Sequence, residues 1–202
     1  VKPEGERLHL LLRLPLALLL NLDLPKQGPG YLDLAHLDEA LQAAAVVAAQ
    51  EIALFEEGRR LDYQRATTRI SLPSDTSFAS YARALAHLNG PKLPIHTTVF
   101  WNQGFFDAHI EYPIASDQAA FAVRIMVAPS LGKRLKSMVR FLPAGGSVRA
   151  YQLVGDIGRV ALDPRWHQAA WTFVQSGFRH ILTGMDHLLF LVCLVIPIRR
   201  LR

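Results

Sequence analysis

The stretch Ile181–Ile198 holds no Lys, Arg or Glu and a single Asp, and it constrains the chain more than any other segment. As an α-helix its 18 residues would measure about 27 Å, close to the roughly 30 Å of a bilayer's hydrocarbon layer. Arg199, Arg200 and Arg202 follow it. A basic flank after an apolar run marks the cytoplasmic side, which puts everything upstream on the outer side. Asp186 and His187 are expensive on a lone spanning helix, so such groups face other helices or an aqueous path. The competing reading is a core helix of a globular protein, because Leu188–Ile198 alone is only 11 residues.

The helical pattern starts at Asp163-Pro164, where Asp suits the N-cap and Pro the first turn. Trp166 and Trp171 then suit a membrane interface. The chain therefore divides into residues 1–162 and 163–202. The other apolar run, Leu8–Leu20, follows Arg7 and contains Arg13 and Pro15, with no small-x-small cleavage site after it. It reads as extended, buried strand structure and not as a signal peptide. Val1 in place of an initiator Met suggests that a segment upstream has been removed.

Residues 1–162 read as an α+β, β-rich domain. Pro25–Gly30 is a turn cluster. Asp38 is placed at the N-cap of a helix reaching about Glu57, with Leu41, Ala45, Ala48, Ile52 and Phe55 on one face and Gly58 as its stop. Thr67–Leu72 is a strand closed by Pro73. A second helix covers Phe78–Leu88 with Phe78, Tyr81, Leu85 and Leu88 inward, ended by Asn89-Gly90. Residues 105–112 alternate: Phe106, Ala108, Ile110 and Tyr112 face one way, Asp107, His109 and Glu111 the other. Phe121–Val127, Ser137–Leu142, Val148–Val154 and Val160–Leu162 add strands, with turns at Gly145-Gly146 and Gly155. The expected architecture is an antiparallel sheet or sandwich with two helices, followed by a long C-terminal helix entering the membrane.

Charge excludes one class of partner. The net charge is +5, and the three terminal arginines supply three of those units, leaving +2. Lys133, Arg134, Lys136 and Arg140 read as a solvated face or a headgroup contact. Nucleic acid is not expected, since phosphate binding needs a concentrated positive surface. The single cysteine, Cys193, is silent about redox compartment.

The densest chemistry lies in Gly177–Leu191, where His180 is followed after five residues by Asp186-His187. Imidazole and carboxylate donors suit nickel, cobalt or zinc. On a regular helix Gly177, His180, Gly184 and His187 fall within an arc of about 80°. His180 and His187 are nevertheless about 10.5 Å apart along the axis, too far to share one ion without a break near Gly184. Asp186 points elsewhere, toward another helix or behind a ligating imidazole. A complete metal site needs ligands from further helices. The alternative is a polar cluster at the start of a helix that only stabilises packing.

The stretch from Trp171 to Val195 resembles the opening of the HupE/UreJ family, nickel permeases linked to hydrogenase and urease maturation. The resemblance rests on Gly177-Phe178, His180-Ile181-Leu182, Gly184 and Asp186-His187-Leu188-Leu189-Phe190. It is strongest toward members with an extracytoplasmic domain, whose upstream region Gly30–Leu34 resembles more weakly. It implies that His180, Asp186 and His187 handle a transported divalent metal, nickel or cobalt. It also implies membrane lipid and further transmembrane helices as partners, and a cytoplasmic C-terminal end. The family's second His/Glu-rich motif is absent, so the chain is expected to be a fragment that does not transport alone. A membrane-anchored extracytoplasmic binding module is the alternative.

Weaker signals carry less. Asp107, His109 and Glu111 offer a surface metal site, but same-face strand neighbours lie about 7 Å apart, and a solvated face is the plainer reading. His96 reads as a sheet residue and His9 as the solvent side of the Leu-rich strand. His36, His87 and His167 form no cluster, and Trp101–Gly104 is a turn. Gly155-x-x-Gly158 is too slight for a nucleotide site. No nucleophile and base are suggested by spacing, and no enzyme is expected.

Overall fold

The computed structural model describes residues 1–19 and 22–163. The chain divides into two units, Val1–Asp163 and Pro164–Arg202. The elements of the first unit are, in order, β1 (Lys2–Glu4), β2 (Arg7–Pro15), β3 (Lys26–Gln27), β4 (Tyr31–Leu32), α1 (Asp38–Glu51), β5 (Ile52–Glu56), β6 (Arg59–Arg60), β7 (Arg65–Ser71), α2 (Tyr81–Leu88), β8 (Phe105–Pro113), β9 (Phe121–Ile125), β10 (Lys136–Phe141), β11 (Arg149–Val154) and β12 (Val160–Ala161). Two four-stranded sheets, ordered β1-β2-β8-β7 and β12-β9-β5-β6, are joined by two hairpins, β3-β4 and β10-β11. Every pairing is antiparallel. The β-rich class with two α-helices agrees with the sequence reading. Among the described residues no helix is long and apolar enough to cross a membrane.

One contiguous core draws on both sheets and α1. Phe106, Ala108, Ile110 and Tyr112 of β8 are all buried, as their alternation requires. So are Phe121, Val123 and Ile125 of β9. Helix α1 turns Leu41, Ala44, Ala45, Ala48 and Ala49 inward. Its small side chains let the helix backbone approach β5, β7 and β8 closely. Gln42 donates to the Thr68 hydroxyl at 3.2 Å. Thr68 is the cross-strand partner of Ala108, so α1 lies on the apolar face of the first sheet.

Helix α1 ends at Glu51, not near Glu57, and begins at Asp38 with Leu37 as its N-cap. The five inward positions expected of it are all buried, but Ile52 and Phe55 reach the core from a strand. All five residues of β5 are buried, and it pairs with β9 along its whole length. A segment shielded on both faces carries no period that separates strand from helix, and sheet pairing overrides the local pattern. Gly58 accordingly belongs to a hairpin and not to a helix end. Glu56 pairs with Arg59, and the two residues between them, Glu57 and Gly58, have φ of 47° and 84°. Positive φ at both central positions is the turn whose twist matches its flanking strands.

Other differences are smaller. The Leu-rich segment is a strand only to Pro15; Leu16–Leu18 form a short 3-10 turn. Helix α2 buries Ala84 and Leu88 most deeply, while Phe78 sits in a separate 3-10 turn before it. Ser80 caps α2 by accepting from the Arg83 amide. His96 lies in an exposed turn outside any sheet.

Candidate functional site

The strand alternation that sends Phe106 and Ile110 into the core sends Asp107, His109 and Glu111 to the opposite face of the first sheet. That face is not solvated. Asp107 is fully buried and His109 nearly so, because α2 packs across β2, β7 and β8. The register builds three rungs there: Arg13–Asp107–Arg69, Leu11–His109–Thr67 and His9–Glu111–Arg65. Opposite charges thus meet across neighbouring strands, the arrangement that stabilises a sheet face carrying polar side chains.

Arg13 dominates one end. Its Nε donates to Asp107 Oδ1 and its Nη2 to Oδ2, both at 2.7 Å, a bidentate pair. The same guanidinium donates to the Asp75 carboxylate at 2.8 Å and to the Asp75 backbone carbonyl at 2.9 Å. Its carbon lies 4.3 Å from the centre of the Phe78 ring and 5.0 Å from that of Phe105, so its charge also meets aromatic faces. The Ser71 hydroxyl donates to Asp107 Oδ2 at 2.5 Å, with His87 Nε2 2.7 Å from the same oxygen of Ser71. Arg69 donates to the carbonyl of His87, in the last turn of α2, and to that of Pro91 just after it, tying β7 to the end of the helix.

Ser71, His87 and Asp75 resemble a nucleophile, its base and an orienting carboxylate, with His87 Nδ1 3.5 Å from Asp75 Oδ2. The hydroxyl is 1% exposed and its proton is directed to Asp107, so no substrate atom can approach it. The cluster is a clamp that fastens β2, β7, β8 and α2. Burial pulls the Asp75 carboxyl upward, but hydrogen bonds from Ser77 and Arg13 outweigh it and hold the group well below the ordinary carboxylate range.

A carboxyl whose folded pKa is depressed stabilises the fold above its unfolded value, about 4, and that contribution is lost as pH falls further. Stability is therefore expected to drop below about pH 4. Asp75→Asn is expected to flatten that acid limb while also lowering stability at neutral pH. Thermal melts of both proteins between neutral and strongly acidic pH check this.

The other end of the face is a histidine pair. His9 Nδ1 lies 2.9 Å from His109 Nε2, with ring centres 5.2 Å apart. Glu111 Oε1 is 3.8 Å from the same His109 nitrogen, while its Oε2 accepts from Arg7 at 2.8 Å. One ligand atom from each of His9, His109 and Glu111 lies within 4.8 Å of the others, so the three can hold a metal ion. Burial lowers the pKa of His109, Glu111 partly offsetting it. Burial, aided by the carboxylates of Glu4 and Glu111, pushes the Tyr81 phenol up to about 12.

The trio suggested by the sequence, Asp107, His109 and Glu111, is therefore split. Asp107 goes to Arg13, and His9 takes its place beside the other two. Same-face residues along one strand are about 7 Å apart, whereas a side chain on the adjoining strand reaches diagonally across the ladder. His9 was legible as a polar position on a Leu-rich strand, but its partner is 100 residues away. His87, read as belonging to no cluster, joins the Arg13 clamp. His36 pairs only with nearby Asp33, at 2.8 Å on the surface. His167, His180, Asp186 and His187 lie outside the described residues, as does the expected C-terminal helix with Trp166 and Trp171.

Neither the curated proteins nor the solved structures compared with the chain include a match. A family model described as HupE / UreJ protein does match, over residues 158–202. The matched stretch begins two residues before β12 and includes the whole His180, Asp186-His187 motif. It is this C-terminal segment, residues 158–202, that is similar to the HupE/UreJ family.

Proposed function

We propose that this protein serves divalent-metal transport across a membrane, with nickel or cobalt as cargo. Residues 1–162 form its extracytoplasmic domain and residues 163–202 its interfacial and first membrane-entering segment. His180, Asp186 and His187 meet the cargo from that segment, together with donors from companion helices, and the end beyond Ile198 is cytoplasmic. The observation that carries this reading is the family match, which spans all three residues. Imidazole and carboxylate are donors that borderline divalent ions accept, and groups of that polarity within an apolar segment are usually functional. The role read here is that of a carrier and not of an enzyme.

Cells expressing the full-length gene product are expected to accumulate radioactive nickel or cobalt above the level of cells without it. His180→Ala and His187→Ala are each expected to bring uptake down to background, with membrane abundance unchanged on immunoblot. Uptake that survives both substitutions would remove the motif from the transport path. An absence of uptake by the unaltered protein would favour an anchored binding module.

A further inference from the structure

We propose that His9, His109 and Glu111 form a second metal site, on the polar face of the first sheet, that takes a divalent first-row transition ion such as zinc, cobalt or nickel. The inference rests on side-chain geometry within residues 1–163 and stands whether or not the transport reading does.

The donor set is two imidazole nitrogens and one carboxylate oxygen, a combination that zinc accepts while leaving a fourth position for water. The distances are close to those of a loaded site. Ligand bonds of about 2.0–2.1 Å in tetrahedral geometry place neighbouring donor atoms about 3.3 Å apart. The histidine nitrogens stand at 2.9 Å and the His109–Glu111 pair at 3.8 Å. The first pair must open and the second close by about half an ångström, and the third pair, His9 with Glu111, lies within 4.8 Å, so modest side-chain rotation brings all three donors to the ion.

The three residues are also held for the task. His109 and Glu111 are two apart on β8, an inner strand of the four-stranded sheet, and His9 comes from β2 beside it. His109 is 7% exposed, and the Glu111 side chain 13%. Arg7 engages only Glu111 Oε2, which fixes the carboxylate and leaves Oε1 facing His109. A partner of that kind behind a ligating carboxylate orients it toward the ion. Arg7 and Arg65 add positive charge near the site, the latter close enough to act on His109. Glu4, joined to Lys2 at 2.9 Å, and Glu111 supply negative charge on the same side, both acting on the Tyr81 phenol. A site so bordered favours ions that bond strongly to imidazole over calcium or magnesium, which demand oxygen donors.

The test uses the detergent-solubilised full chain, stripped with chelator and carrying His180→Ala, Asp186→Ala and His187→Ala so that the C-terminal motif contributes nothing. Titration calorimetry is expected to show one zinc ion per chain. Saturating zinc is expected to raise the melting temperature by roughly 5 °C, because a ligand that binds only the folded state stabilises it. Cobalt is expected to give a visible absorption band that zinc displaces. Adding His9→Gln or His109→Gln is expected to weaken zinc binding by at least about 100-fold, more than the loss typical of an orienting partner. Far-UV circular dichroism reports whether each variant has kept its fold. Zinc binding that both glutamine variants retain would overturn the proposal. Should both variants misfold, the parent decides: no bound zinc and no melting shift would overturn it equally. Because the background lacks the C-terminal motif, failure here leaves the transport assay untouched.

Discussion

Asp107→Ala is expected to destabilise the protein by about 3–5 kcal/mol, the cost of breaking a buried ion pair by removing one partner. The carboxylate is fully buried and takes both arms of Arg13, whose side chain is only 15% exposed. Deleting it leaves that guanidinium with Asp75 as its remaining carboxylate partner and takes the acceptor from the Ser71 hydroxyl. The triple variant Arg13→Met/Asp75→Asn/Asp107→Leu, which leaves neither carboxylate without its cation, is expected to lose less than Asp107→Ala alone, although it removes more atoms of the clamp. Replacing both charges by apolar groups of similar size avoids the desolvation penalty that the pair must otherwise offset. Urea denaturation followed by circular dichroism separates the outcomes. A loss below about 1 kcal/mol for Asp107→Ala would place the pair in the class of exposed salt bridges.

The residue just before it should be as sensitive for the opposite chemical reason. Phe106→Ala is expected to cost about 3–5 kcal/mol through lost burial and the cavity left behind. The ring is fully buried and lies between Leu14 on β2 and Ile70 on β7. Met138→Ala, at a side chain that is 66% exposed, serves as the comparison and is expected to fall within about 0.5 kcal/mol of the parent. Equal losses at 106 and 138 in the same denaturation series would contradict the burial of β8.

Strand β8 explains how far the fold could be read. Its period of two named both faces correctly, residue by residue, because the pleat fixes which side chains share a side. It could not say what covers the Asp107 face, since that depends on α2 arriving from elsewhere in the chain. The opposite problem arose at Ile52–Glu56. With every side chain buried, no alternation was left to show that the helix had given way to a strand. Of the candidate sites, the C-terminal motif could be named from the sequence because its residues lie within eight positions of one another, in the stretch that the family model matches. The His9–His109 pair was not, because an antiparallel register joins positions that have no relation along the sequence.

That same register sets the order in which the domain can be made. Strand β2 pairs with β1 on one side and with β8 on the other, and β8 begins at residue 105. At roughly 5–20 residues per second, synthesis leaves Leu8, Leu10, Leu12 and Leu14 without their central neighbour for something like 5–20 s. Such an orphaned apolar strand is what chaperones capture and what self-associates when they are scarce. Until β8 has been made, the Leu-rich strand is the part of this sheet most open to wrong partners.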